Sequence, residues 1–321
     1  MMRDIVRLIR LPNLLFLAIV LWTMEKWVAV PILQSILYDA ILSNWFLILL
    51  IVATVLIAAG GYVINDYFDV KIDRINRPEQ VIVTRTIPKQ TAFRLSIGLS
   101  AAGVVAGIVA AILCRSWTVG ILFGIAPGLL WFYSSGYKRQ FIVGNLIIAL
   151  LAACPPLMIA FANIGYAHKL YDRMGDIVSQ TPLAHSLLIW LGGFAVFAFL
   201  TTWIREIIKD MQDQIGDAEL ECHTLPVVLG ETKTKLIVTA LIVLTIACLC
   251  YCQWGLLPFD TSLTSLATRY VGLVVLLPLV CVLVLLWRAK IPSDYKAPQL
   301  YMKFVMFMGT LFSFVIQRMM Q

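Results

Sequence analysis

The sequence predicts an all-α, polytopic membrane protein with nine transmembrane helices in a bundle. Composition is the first reason: 61% of the residues are hydrophobic and 13% charged, with a mean hydropathy of +0.90. Soluble domains have roughly 45–50% apolar and about 25% charged residues. The second is a series of nine apolar runs close to the ~20 residues that cross a hydrocarbon core. The third is the placement of basic residues, which favours alternate links between those runs.

The runs are 13–32, 44–64, 92–113, 117–134, 142–162, 185–204, 236–253, 270–287 and 300–317. Arg3, Arg7 and Arg10 precede the first run, as in a signal peptide, but no small-residue cleavage site follows, so a retained span is expected. Glu25 and Lys26 interrupt its far half. They are expected at its outer end, with Trp27–Leu37 lying at the interface. With the N-terminus inside, the inner segments are that terminus and the links near 65–91, 135–141, 205–235 and 288–299. These and their flanks hold 19 of the 25 Lys and Arg residues. The outer segments hold Arg115, Lys169, Arg173, Arg269 and Arg318, and Lys26 is the remaining one. That bias obeys the positive-inside rule and supports an odd number of spans in a cytoplasmic membrane. It also accounts for the net charge of +7. No nucleic-acid surface is needed, and the basic residues suit contact with membrane lipids. The longest outer link, 163–184, contains Asp172, Arg173 and Asp176 and reads as a solvated loop.

Seven cysteines are scattered without a CxxC pair, so neither a disulfide framework nor a thiolate metal site is expected. The chain repeats one pattern, an apolar span, an acidic helix end, an amphipathic link and another span, which hints at an internal pseudo-repeat.

The chemistry lies in two acidic clusters where spans meet water. The first runs from Asn65 through Asp66, Asp69 and Asp73. The second holds Glu206, Asp210, Asp213 and Asp217, about 140 residues later. If the second span continues as a helix, the i, i+3, i+7 spacing puts Asp66, Asp69 and Asp73 on one face. The spacing of Glu206, Asp210, Asp213 and Asp217 does the same for the sixth span, with Gly216 expected to loosen or end that helix. Asn65 can add a carbonyl oxygen. Carboxylates at a membrane boundary need neutralising. The plain alternative is pairing with Lys71, Arg74, Arg205 and Lys209. One cation site shared by two parts of the fold is the sharper reading. Oxygen-only ligands favour Mg²⁺, Ca²⁺ or Mn²⁺ over Zn²⁺, and Mg²⁺ commonly shares its ligands with substrate phosphate. Lys138, after the aromatic and hydroxyl-rich stretch 131–137, is a candidate phosphate-binding charge beside the positive-inside anchor Arg139. Tyr62, Tyr67, Phe68 and Tyr133 are candidate linings of an apolar path.

On these residues the sequence resembles the UbiA superfamily of intramembrane prenyltransferases. Asn65 to Asp73 is similar to its NDxxDxxxD signature, and Asp210, Asp213, Gly216 and Asp217 to its DxxD…GD-type signature. Arg10-Leu11-Pro12-Asn13, Tyr133-Ser134 with Lys138, and Gly144-Asn145 support the match. Asn65 to Pro78, Arg205 to Asp210 and Thr224-Leu225-Pro226 resemble the branch that prenylates a prenylglyceryl phosphate in ether-lipid synthesis. Where that branch usually has an R-P-x-P-S-G-like stretch, this chain has Glu79 to Arg85 after Arg77-Pro78.

The resemblance implies a UbiA-like bundle and a single transmembrane prenyltransferase domain over 1–321. It implies Mg²⁺ held by Asn65, Asp66, Asp69, Asp210, Asp213 and Asp217, with Asp73 in the catalytic set. It further implies substrate contacts from Asn13, Asn65, Lys71, Arg74, Tyr133, Ser134, Lys138, Asn145 and Lys209. The substrates would be a prenyl diphosphate, for example geranylgeranyl diphosphate, and a lipophilic acceptor, met from the cytoplasmic side. A hydroxyl acceptor gives an ether; the alternative is ring prenylation in quinone biosynthesis. A soluble-type isoprenyl diphosphate synthase conflicts with nine spans. A cation-coupled transporter would place its acids near mid-membrane.

Overall fold

The computed structural model describes residues 2–37, 40–76, 78–171, 177–256 and 262–320. Among them, nine helices are long and apolar enough to cross a membrane. These are α1 (Leu11–Ile36), α2 (Asn44–Asn76), α3 (Lys89–Leu113), α4 (Trp117–Ser135), α5 (Val143–Tyr171), α6 (Leu183–Glu219), α7 (Glu231–Trp254), α8 (Ser265–Arg288) and α9 (Pro292–Met320). Each overlaps one predicted run. Trp45 and Trp117, at the starts of α2 and α4, are among the most exposed side chains. Aromatic residues at span ends are the usual interfacial anchors.

Three expectations need correction. First, α1 does not stop near Glu25 and Lys26. The segment Met24–Ala29 is π-helical, and the helix then continues to Ile36. Glu25 is fully buried rather than exposed at an outer end. Asn163 Nδ2 donates to its Oε2 at 2.7 Å, and to the Ile159 carbonyl at 2.9 Å. Lys26 is half-buried and donates to Asn44 Oδ1. Second, Gly216 does not end α6. The helix reaches Glu219 and stops where Glu221 turns left-handed, with φ 53°. The Cys222 amide then donates to the Asp217 carbonyl at 2.8 Å, so Glu221 fills the place a glycine commonly takes at a helix C-terminus. Third, much of the expected outer loop is helix, because α5 runs on to Tyr171. Asp172, Arg173 and Asp176 lie outside the described residues.

The chain forms two compact units, residues 1–136 with 154–195, and residues 137–153 with 196–321. In the first unit, α2 packs against α3 and α4 through small residues. Ser96 Oγ donates to the Gly60 carbonyl at 3.0 Å. A Cβ on Gly103 would stand 2.6 Å from Ile57 Cγ1 and 2.9 Å from the Ala53 carbonyl. Close backbone approach of this kind is how spans associate where lipid supplies no hydrophobic drive. Leu8, Val63, Val70, Val83, Ile87 and Ala92 form a small core. It joins the short helix Met2–Leu8 and the 82–87 turn to the end of α2.

In the second unit, Ile204, Ile207, Ile208 and Met211 of α6 pack with Val238, Ile242, Leu279, Val282, Met302 and Val305. Polar links brace this core. Lys235 Nζ donates to the Ala289 carbonyl at 2.7 Å and pairs with Glu231, which accepts from Tyr295 Oη at 2.7 Å.

The glycine packing is testable in detergent. Gly103→Ala should lower the melting temperature by several degrees, because its Cβ forces α2 and α3 apart. Gly98→Ala, with nothing within 4 Å of its added Cβ, should leave it unchanged or raise it. Equal effects would mean that the α2–α3 approach is not as close as described.

Candidate active site

The first acidic motif sits on the last three turns of α2, which stays helical through Asn76. Asp66 faces Arg10, with Nη2 to Oδ1 at 2.8 Å. Arg10 also lies over the Tyr62 ring, 5.0 Å from its centroid. Burial disfavours the guanidinium charge, but Asp66, with Tyr62 and Tyr133 nearby, outweighs it and raises the pKa above arginine's ordinary value. Asn65 Nδ2 donates to Asp69 Oδ2 at 2.7 Å, and Asp69 is buried. Asp73 lies one turn further on, half-buried. Arg74 Nη2 donates to Thr84 Oγ1 at 3.1 Å, so it holds the following loop rather than the acids. Lys71 is exposed on that end of the helix, and Asn13 is exposed in the first turn of α1.

The aromatic residues divide between two tasks. Tyr62 supports Arg10. Tyr67 and Phe68 join Phe93 and Trp131 in a cluster with centroid separations of 5.1–5.7 Å. Lys89 Nζ lies 4.6 Å from the Tyr67 ring centroid. Ser134 is buried and its hydroxyl donates to the Leu130 carbonyl of its own helix at 2.8 Å. Tyr133 is half-buried beside it.

The second motif sits on the end of α6. Glu206 is already neutralised: Arg205 is bonded to one oxygen, and Lys209 Nζ lies 3.5 Å from the other. Asp210 differs. Among the described residues no Lys or Arg pairs with it, and its one hydrogen bond comes from Asn145 Nδ2 at 2.8 Å. Asp217 is buried and accepts from Thr224 Oγ1 at 3.2 Å. Asp213 is half-buried on the same face.

Two further links draw predicted residues together within this unit. A Cβ on Gly144 would lie 2.6 Å from Lys138 Cα, so glycine lets the Tyr137–Arg139 turn press on the start of α5. The His223 amide donates to the Arg139 carbonyl at 2.8 Å. Lys138, Asn145, Asp210 and Asp217 thus belong to one connected patch of backbone. Asn145 enters it by holding a carboxylate, a role that the spacing alone did not indicate.

The donor set is oxygen and amide only, with Asp210 held by a neutral amide, and such a set suits Mg²⁺. Among the described residues no three His, Cys, Asp or Glu side chains converge as a ready-made cage. Mg²⁺ characteristically takes one or two carboxylates and completes its shell with water and phosphate. The residue missed by the sequence reading is Arg10. It was noted only as part of the Arg-Leu-Pro-Asn stretch, and its aim at Asp66 depends on contact across 56 positions.

The family model described as the UbiA prenyltransferase family matches residues 13–311. The digeranylgeranylglyceryl phosphate synthase of Sulfurisphaera tokodaii is 30% identical over 270 residues, 84% of each chain. That of Ignicoccus hospitalis is 30% identical over 266 residues, 83% of this chain and 79% of the relative. A solved structure of a digeranylgeranylglyceryl phosphate synthase aligns over 98% of both chains, with TM-score 0.60 and 21% identity. A UbiA homolog from Archaeoglobus fulgidus, solved with DMAPP and Mg²⁺, aligns over 94% of this chain and 97% of its own, with TM-score 0.55 and 14% identity. The nine apolar helices among the described residues and the family match define an intramembrane prenyltransferase. The chain belongs to the UbiA prenyltransferase family.

If Arg10 is the counter-charge of Asp66, Arg10→Met should lower prenyl transfer by roughly tenfold or more. Lys233→Met, at an exposed position, should stay within about twofold. Diphosphate release by the two purified variants checks this; equal activities would remove Arg10 from the site.

Proposed function

We propose that the chain transfers a polyprenyl group, such as geranylgeranyl, from its diphosphate to the hydroxyl of a prenylglyceryl phosphate, with Mg²⁺, in ether-lipid synthesis. The reading is carried by one observation: both archaeal relatives described above share that activity's name and align with about four fifths of this chain or more. Residues 1–321 are read as one catalytic domain.

Asn65, Asp66 and Asp69 on α2, and Asp210, Asp213 and Asp217 on α6, are assigned as the residues that hold Mg²⁺. Bound there, Mg²⁺ would stabilise charge developing on the departing diphosphate. Asn145 and Thr224 keep Asp210 and Asp217 oriented, as partners of metal-binding carboxylates commonly do. Lys138 is assigned to a diphosphate oxygen and Arg10 to the charge balance of Asp66. Asp73 is assigned to the catalytic set, and Lys71, Arg74, Lys209, Asn13, Tyr133 and Ser134 to substrate contacts. In the reaction the allylic carbon–oxygen bond of the donor breaks and diphosphate leaves with the electron pair. The acceptor hydroxyl oxygen attacks the allylic carbon, forms the ether and releases its proton. Apolar surroundings limit loss of the allylic cation to water.

Mass spectrometry of products, with prenyl diphosphates of several lengths and both glyceryl phosphate and aromatic acceptors, tests the reaction. An ether product is expected, and a prenylated ring would overturn the acceptor. Asp66→Ala, Asp69→Ala, Asp210→Ala and Asp213→Ala should each reduce turnover at least a hundredfold, whereas Asp172→Ala should leave it intact. Full turnover after metal removal in excess EDTA would refute the Mg²⁺ assignment.

The proposed site opens to the cytoplasm, on the 19-to-5 distribution of basic residues among the links. On a cysteine-free background, Gln80→Cys should react with an impermeant maleimide only in opened cells, and Ser179→Cys in intact cells. The reverse pattern would invert the topology.

A further inference from the structure

α6 carries more than carboxylates on the face of its acidic motif. At about 100° per residue, Phe199, Trp203, Glu206, Asp210 and Asp217 fall along one stripe. The buried core residues Ile204, Ile208 and Met211 lie on the other side of the helix. The Phe199 and Trp203 rings pack with centroids 5.6 Å apart. Trp203 touches the edge of the core with its ring. Its Nε1–H, however, is buried and has no hydrogen-bond partner among the described residues. The adjacent Thr202 hydroxyl is also buried and unpartnered. Buried indole N–H groups ordinarily have an acceptor, so this one calls for an explanation. Seven residues at 1.5 Å each set Trp203 about 10 Å from Asp210, on the side of the apolar run.

We propose that Trp203 Nε1–H binds the lipid acceptor, donating to the ether oxygen of its glyceryl unit. This rests on the reaction proposed above. The prenyl donor has no acceptor atom beyond its diphosphate, so an N–H beside the donor's prenyl tail finds no partner on it. The acceptor lipid carries both a hydroxyl and an ether oxygen near its head. A hydrogen bond donated to the hydroxyl would draw on the lone pair needed for attack. The ether oxygen has lone pairs the reaction does not use. A site built to hydrogen-bond one substrate atom discriminates strongly against analogues that lack it. Trp203 is therefore a specificity residue, selecting a lipid that already bears one ether-linked chain.

Trp203→Phe keeps an aromatic ring and deletes the N–H. With the full-length protein in lipid nanodiscs, geranylgeranyl diphosphate and geranylgeranylglyceryl phosphate, KM for the acceptor should rise roughly five- to tenfold. The kcat and the KM for the donor should stay within about twofold. An acceptor analogue with CH₂ in place of the ether oxygen should raise the wild-type KM similarly, with no further rise in Trp203→Phe. If the variant does not fold, the analogue on the wild-type protein decides. An unchanged acceptor KM in Trp203→Phe, or wild-type indifference to the analogue, overturns the inference alone. Wild-type protein that transfers nothing to the glyceryl phosphate overturns the reaction reading, and with it the ligand named here.

Discussion

Neutralising carboxylates at the edge of hydrocarbon is the constraint that organises this protein. Asp66 is met by a guanidinium from outside its own helix. Asp210 is met by an amide, which offers a hydrogen bond but no charge. Glu206, one turn before Asp210, has two basic neighbours of its own. The second motif therefore separates an acid paired with basic side chains from one held by an amide.

Helix length puts these groups at the boundary. At 1.5 Å per residue, Asp66 lies about 33 Å along α2 from Asn44, and Asp210 about 40 Å along α6 from Leu183. A hydrocarbon core is roughly 30 Å thick. Both acids thus lie further along their helices than that thickness, while Trp203 lies about 30 Å along α6. An α6 that stopped at Gly216 would have left Asp217 and its bond to Thr224 on an unsupported turn. The left-handed Glu221 lets the chain fold back just after the motif, toward Thr224 and the buried Leu225.

All nine spans and both acidic helix faces were legible because they depend on local patterns: apolar runs, and acids repeating every three or four residues. What was not legible depends on contacts between distant segments. Glu25 read as an outer-end residue because a lone carboxylate in an apolar run ordinarily marks a boundary. Its partner, Asn163, is 138 positions away. Arg10 looked like one more positive-inside arginine until its contact with Asp66 was seen. Ser134 looked like an available hydroxyl, yet serine within a helix often bonds back to the preceding turn, as this one does.

Backbone strain follows the same logic. Arg10 lies in the left-handed region, at φ 53° and ψ 54°, where glycine is at ease and other residues typically lose about 1–2 kcal/mol. Thr84 and Ile142 also have positive φ. In each case the side chain is in use near a motif. Arg10 pairs with Asp66, Thr84 accepts from Arg74, and Ile142 packs on the core just before Gly144 and Asn145. Glycine at these turns would relieve the backbone and forfeit the contact. For Arg10 the trade is clearest, since an unpaired Asp66 at the membrane edge would cost more than the strained turn. At Arg10 the strain is thus a consequence of the carboxylate that its side chain must reach.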